Sequence, residues 1–198
     1  MKLKNIIALL LSIIMCLSLA GCGADDSGIP EGMKVLEQAS DSYTIYIPQD
    51  WVADVSTGFA SAYVSNTDPS NISFMAYTVP GDETLADGTA VNDLETFWKS
   101  YEEDFKKTFS DMEYESFGED TSAEGESTAL NYTNVKLDGL DARKYVFHAT
   151  VGGEEYTFLM VAAMGGSDVY LLTYTASRDN FEAHLDEVDS VIANFKFN

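Results

Sequence analysis

The sequence predicts an α+β fold, a single antiparallel β-sheet covered by helices on both faces in an α/β/α sandwich. Three observations carry it. Tyr156 to Met164 and Val169 to Ala176 are apolar on both faces and joined by Gly165-Gly166-Ser167-Asp168, and strands of that kind need cover on both sides of their sheet. Leu94, Phe97, Trp98, Tyr101 and Phe105 recur at the helical period, as do Phe181, Leu185, Val188, Ile192 and Phe195. Each set makes one apolar stripe, so each helix has a sheet face to bury it against.

The first elements concern export, not folding. Lys2 and Lys4 precede an apolar run from Ile6 to Ala20, broken only by Ser12 and Ser18. The run is shorter than the roughly 20 residues a membrane-spanning helix needs. It ends in Leu19-Ala20-Gly21-Cys22, which resembles the bacterial lipobox. That resemblance implies cleavage between Gly21 and Cys22, diacylation of Cys22, and attachment to the outer side of the cell membrane. Two acyl chains hold firmly where one binds marginally. The competing readings are an ordinary secreted protein and an uncleaved anchor.

Removing residues 1–21 takes away Lys2 and Lys4, leaving 9 basic against 33 acidic residues and a net charge of −24. Nucleic acid is excluded as a partner class, since binding it needs a basic surface. Anionic headgroups repel such a domain, so the lipid and not the protein face would hold it at the membrane. Cys16 leaves with the signal, so no internal disulfide forms and stability rests on packing.

Residues 22–41 read as the lipidated N-terminus and a flexible acidic tether, small and Gly/Pro-broken, with no period to bury. Residues 42–198 read as one globular domain. Tyr43, Ile45 and Ile47 alternate with Thr44 and Tyr46 as a half-buried strand ended by Pro48. Phe59 to Ser65 and Ile72 to Val79 follow as strands, with the turn-rich Asn66 to Asn71 between them. After a polar loop, Asn92 sits at the N-cap position of the first helix, with Glu95 three residues on. Trp98 on that helix reads as core. Met112 to Gly118 reads as a strand and Glu119 to Thr128 as an acidic, Gly-broken loop. Tyr145, Phe147, Ala149 and Val151 share a strand face, and Gly152-Gly153 fits a tight hairpin. Ser177 or Asp179 caps the last helix.

Two segments carry a resemblance. Tyr43 to Trp51, with its Pro48-x-x-Trp51 turn, is similar to the opening of PsbP-like domains. Leu140-Asp141-Ala142-Arg143-Lys144-Tyr145, Val169 to Ala176 and the closing Asn194-Phe195-Lys196-Phe197 are similar to that family's C-terminal part. The resemblance covers roughly residues 40–198. It implies an α/β/α sandwich and a non-catalytic binding or accessory module. Plant members are photosystem II subunits, eukaryotic relatives of the fold bind a small GTPase, and many bacterial members are lipoproteins, a habit that leans toward a Gram-positive envelope. No photosystem role carries over, because no matching cofactor residues stand here. Fold alone does not fix function.

Catalytic chemistry is sparsely represented. His148 lies on a predicted strand face opposite Tyr145 and Phe147, and His184 lies beside the apolar stripe of the last helix; neither has a ligand at metal-binding spacing. There is no Gly-x-Ser-x-Gly elbow, no Ser-x-x-Lys pair and no phosphate loop after a strand. The expectation is therefore no enzyme, no catalytic residue, no metal site and no cofactor. The function expected is a lipid-anchored extracytoplasmic lipoprotein whose domain binds a protein partner of the envelope. The alternatives are a small-ligand or calcium-binding receptor domain and, behind it, an envelope hydrolase. Asp82, Glu83 and Asp87, and Glu119, Asp120, Glu124 and Glu126, offer the oxygen ligands a calcium reading needs, without a regular twelve-residue calcium loop.

Overall fold

A computed structural model describes residues 28–36, 42–54, 60–120 and 128–198. The expected signal segment, Gly21 and Cys22 lie outside them. Fourteen strands are described: β1 Met33–Val35, β2 Tyr43–Thr44, β3 Tyr46–Pro48, β4 Val52–Asp54, β5 Ala60–Ser65, β6 Asp68–Thr78, β7 Ser110–Tyr114, β8 Glu119–Asp120, β9 Thr128–Ala129, β10 Thr133–Leu137, β11 Leu140–Val151, β12 Glu154–Gly165, β13 Asp168–Ser177 and β14 Lys196–Phe197. Helix α1 spans Leu94–Phe105. A 3-10 turn, Phe181–His184, leads into helix α2, Leu185–Asn194.

The main sheet runs β10-β11-β12-β13-β6-β5-β4, with β7 also paired to β11, and every pairing in it is antiparallel. Two-residue turns set its registers. Val151 pairs with Glu154 across Gly152-Gly153, whose φ angles of 62° and 95° are the left-handed values such hairpins require. Leu137 pairs with Leu140 across Asp138-Gly139, again with both φ positive. β5 and β6 are also joined by only two residues, so β6 starts earlier than the turn-rich sequence suggests. The Ser65 hydroxyl accepts the backbone N–H groups of Thr67 and Asp68 at 3.3 and 3.1 Å and closes the turn there.

The period-two alternation of β12 and β13 separates two cores. Leu159, Val161, Ala163, Leu172 and Tyr174 face a layer holding Val188 and Val191 of α2 with Trp51, Ile45, Ile47 and Phe195. Phe158, Met160, Ala162, Val169 and Leu171 face Phe97, Trp98, Tyr101 and Phe105 of α1. Trp98 is core: it stacks on Tyr145 with centroids 3.5 Å apart and donates its indole N–H to the Tyr114 hydroxyl at 3.1 Å.

The fold class needs correction. Among the described residues the protein is mostly β, 51% strand against 17% helix in two helices, and is not a single sheet covered by helices on both faces. Beside the eight-stranded sheet stand three two-stranded ones, β1–β3, β2–β14 and β8–β9. Dimensions explain the misreading. Because β7 and β10 share one edge of β11, the sheet is seven strands across, and at about 4.8 Å spacing that is about 29 Å. A helix is only about 10 Å across, and twelve residues reach about 18 Å. One helix per side therefore leaves much of the sheet to other cover. On the α2 side, the segments carrying β1, β2, β3 and β14 supply part of that cover, with Tyr43 and Ile47 from the strands and Leu36 and Ile45 from the residues beside them.

Two local expectations also shift. Asp93, not Asn92, caps α1: its carboxylate accepts the Thr96 N–H at 2.8 Å, and the Thr96 hydroxyl faces back to the Asp93 N–H, a capping box. Neither Ser177 nor Asp179 caps α2, which begins at Leu185 after the 3-10 turn. The stretch read as tether also holds structure, since β1 pairs with β3 and Leu36 is 1% exposed, both upstream of residue 42.

Candidate functional site

The α1 helix runs down its sheet face and stops at Phe105, where a turn to Phe109 carries the chain into β7. Beyond that stop, residues at the end of β11, the start of β12, the end of β13 and the start of β6 come together. A cavity of about 460 Å³ opens there, lined among others by Phe109, Val151, Tyr156, Phe158, Asn71 and Thr175. Its size falls in the range of ligand pockets.

The apolar wall is an extension of the core. Phe105 stacks on Phe109 at 5.0 Å, Phe109 on Phe158 at 5.1 Å, and Phe158 on Phe147 at 5.0 Å. The opposite wall is polar, because Asn71 and Thr175 are cross-strand partners whose side chains share this face. Among the described residues, the charged side chains lining the cavity are Glu154 and Glu155, at the β11–β12 turn.

The second cluster lies on the other face, where the 3-10 turn meets α2. His184 Nδ1 stands 2.8 Å from Glu187 Oε2, and Nε2 stands 3.0 Å from Asp68 Oδ2. With a carboxylate oxygen at each ring nitrogen, only the imidazolium can donate to both. Burial alone would lower the His184 pKa. Hydrogen bonds and charge from Glu187 and Asp68 outweigh it and raise the pKa above the usual 6.5. Burial likewise pushes Asp68 up, but bonds from Ser70, His184 and Asn180 bring it below the usual 3.8. The Trp51 indole donates to Glu187 at 3.3 Å and meets the imidazole edge-on. This arrangement staples β6, the β3–β4 turn and α2 together. Both ring nitrogens are engaged, so His184 is not poised as a general base.

His148 lies opposite Tyr145 and Phe147, as its strand position predicts, with Nδ1 2.8 Å from the Thr157 hydroxyl. Among the described residues, no group of three His, Cys, Asp or Glu side chains could hold a metal ion. Asp87, one of the calcium candidates, instead accepts the Thr89 N–H of its own loop at 2.9 Å. Glu124 and Glu126 lie outside the described residues, and so do Gly21 and Cys22. No described helix is long and apolar enough to cross a membrane.

Neither the groove nor the partner of His184 is visible in sequence. Glu187 stands three residues after His184 and could have been paired with it, but Asp68 is 116 residues away. The groove is defined by where α1 stops over the sheet, which no local pattern encodes.

A mostly β domain built on a large antiparallel sheet is the class of protein these features define. The chain belongs to the PsbP family, whose model matches residues 31–197. No curated protein matches it. Among solved structures it is similar to cyanobacterial PsbP (CyanoP) from Synechocystis sp. PCC 6803, at 18% identity and a TM-score of 0.51, covering 91% of this chain and 99% of that one. It is also similar to the Saccharomyces cerevisiae Ran-binding protein Mog1p, at 10% identity and a TM-score of 0.50, covering 83% and 95%. A third similar structure, from Bacteroides thetaiotaomicron, is 13% identical with a TM-score of 0.47; the match covers 79% of this chain but only 45% of that one.

Proposed function

We propose that this protein is a lipoprotein cleaved between Gly21 and Cys22, held by lipid on Cys22 at the outer face of the cell membrane, whose PsbP domain is a non-catalytic module that binds a protein partner. The observation that carries the binding role is the open groove of about 460 Å³ on the main sheet, walled by aromatic side chains where α1 ends. The described titratable groups support a non-catalytic reading, since both nitrogens of His184 are occupied and His148 is tied to Thr157. One fold relative, Mog1p, is named as a Ran-binding protein, which supports protein binding as a use of this fold. The run from Ile6 to Ala20 followed by Gly21-Cys22 supports the anchor. The net charge of −24 supports a partner other than nucleic acid.

The test is fractionation and crosslinking of the full-length chain in cells, beside Cys22→Ala. The expected result is membrane-bound wild type with a discrete protein adduct, and release of Cys22→Ala. Cys22→Ala that stays in the membrane fraction overturns the anchor. Wild type with no protein adduct from any surface overturns the binding role.

A further inference from the structure

Resting on that binding role, we infer that the groove at the end of α1 seats a large apolar side chain from a partner segment that carries Lys or Arg beside it. The aromatic wall of Phe109, Tyr156 and Phe158 offers edges and faces to such a side chain, and buried aromatic anchors of this kind carry most of the energy of protein interfaces. The rim sets the charge of what surrounds the anchor. Glu154 and Glu155 are both exposed, and Arg178 reaches Glu155 only at 3.9 Å. Among the described residues, Glu154 has no basic partner.

Charge also decides against the other occupants. A second copy, with the same net charge of −24 over its cleaved chain, meets this acidic rim with like charge. An anionic membrane surface is repelled for the same reason. The chain's own segment after Cys22, Gly23-Ala24-Asp25-Asp26-Ser27-Gly28, is acidic and has no large apolar side chain to insert. A basic segment with an apolar anchor satisfies both the wall and the rim.

The test places the photo-crosslinking residue p-benzoylphenylalanine at Tyr156 in the full-length, membrane-anchored protein, with the same residue at Asp189 on the opposite face as control. Asp189 is 59% exposed there, on α2. The expected result is an adduct from position 156 and not from 189. Sequencing of the crosslinked peptide should show an aromatic or large aliphatic residue with Lys or Arg within about one helical turn. Glu154→Lys with Glu155→Lys should cut the adduct by about tenfold, since like charge replaces opposite charge at the rim. Both positions are exposed, so unchanged thermal unfolding serves as the folding control. The inference is overturned by an adduct with lipid, with a second copy or with the chain's own residues, by a partner peptide without basic residues, or by no adduct at 156. A partner captured from 189 alone overturns the groove assignment and leaves the binding role standing. Silence at every surface position overturns both.

Discussion

Replacing His184 by Ala tests the double carboxylate pairing directly. The bond to Asp68 joins two side chains that are 16% and 21% exposed, so it is worth the lower end of a charged hydrogen bond, about 1.5 kcal/mol. Glu187 is 37% exposed, and solvent screening reduces its bond to about 0.5–1 kcal/mol. The lost edge contact with Trp51 adds about 0.5 kcal/mol. The total, about 2.5–3 kcal/mol, corresponds to a fall in Tm of about 5–12 °C for a domain of this size. The sign with pH follows from the direction of the shift. The folded His184 pKa lies above its unfolded value of 6.5, so its stabilisation is full below about pH 6.5 and is lost as pH rises through the folded value. The folded Asp68 pKa lies below 3.8, so the Asp68 share is full above about pH 3.8 and is lost as pH falls through its lower folded value. Urea unfolding of wild type and His184→Ala at pH 6 and in a series up to pH 10 measures this. The gap should be widest near pH 6 and shrink to below about 1 kcal/mol at the alkaline end, where a neutral ring can donate to only one carboxylate. A gap that stays constant over the series would refute the charged pairing, and a gap under about 0.5 kcal/mol at pH 6 would refute the staple itself.

Three further outcomes are expected. Trp98→Ala should cost about 3–5 kcal/mol in urea unfolding, because the indole is 4% exposed, stacks on Tyr145 and is bonded to Tyr114. Tyr101→Phe should be neutral or stabilising by up to about 1 kcal/mol in the same assay, since the Tyr101 hydroxyl is buried without a hydrogen-bond partner among the described residues. Leu36→Ala should cost about 2–5 kcal/mol, because this side chain is 1% exposed beside β1; a cost near zero would return residues 33–36 to the tether.

Periodicity in the sequence already located most strands and both helices, because an element buried on one side must repeat at its own geometric period. Tyr145, Phe147, Ala149 and Val151 lie together in one core, and Trp98 packs as the helical stripe requires. The Gly152-Gly153 hairpin forms where the residues that tolerate positive φ stand. The start of β6 was hidden because Ser65 closes the turn with its side chain, an option that Asn66 to Asn71 does not reveal by composition.

The sequence by itself determined the family likeness, the apolar stripes and the acidic charge, since these depend only on residue type and spacing. The tertiary structure decided the rest. How far two short helices reach over a sheet seven strands wide is a matter of packing, and it replaces the expected sandwich with a mostly β fold and leaves the groove beyond Phe105 open. The pairing of His184 with Asp68 also required the fold, because only chain closure brings side chains 116 residues apart to 3.0 Å.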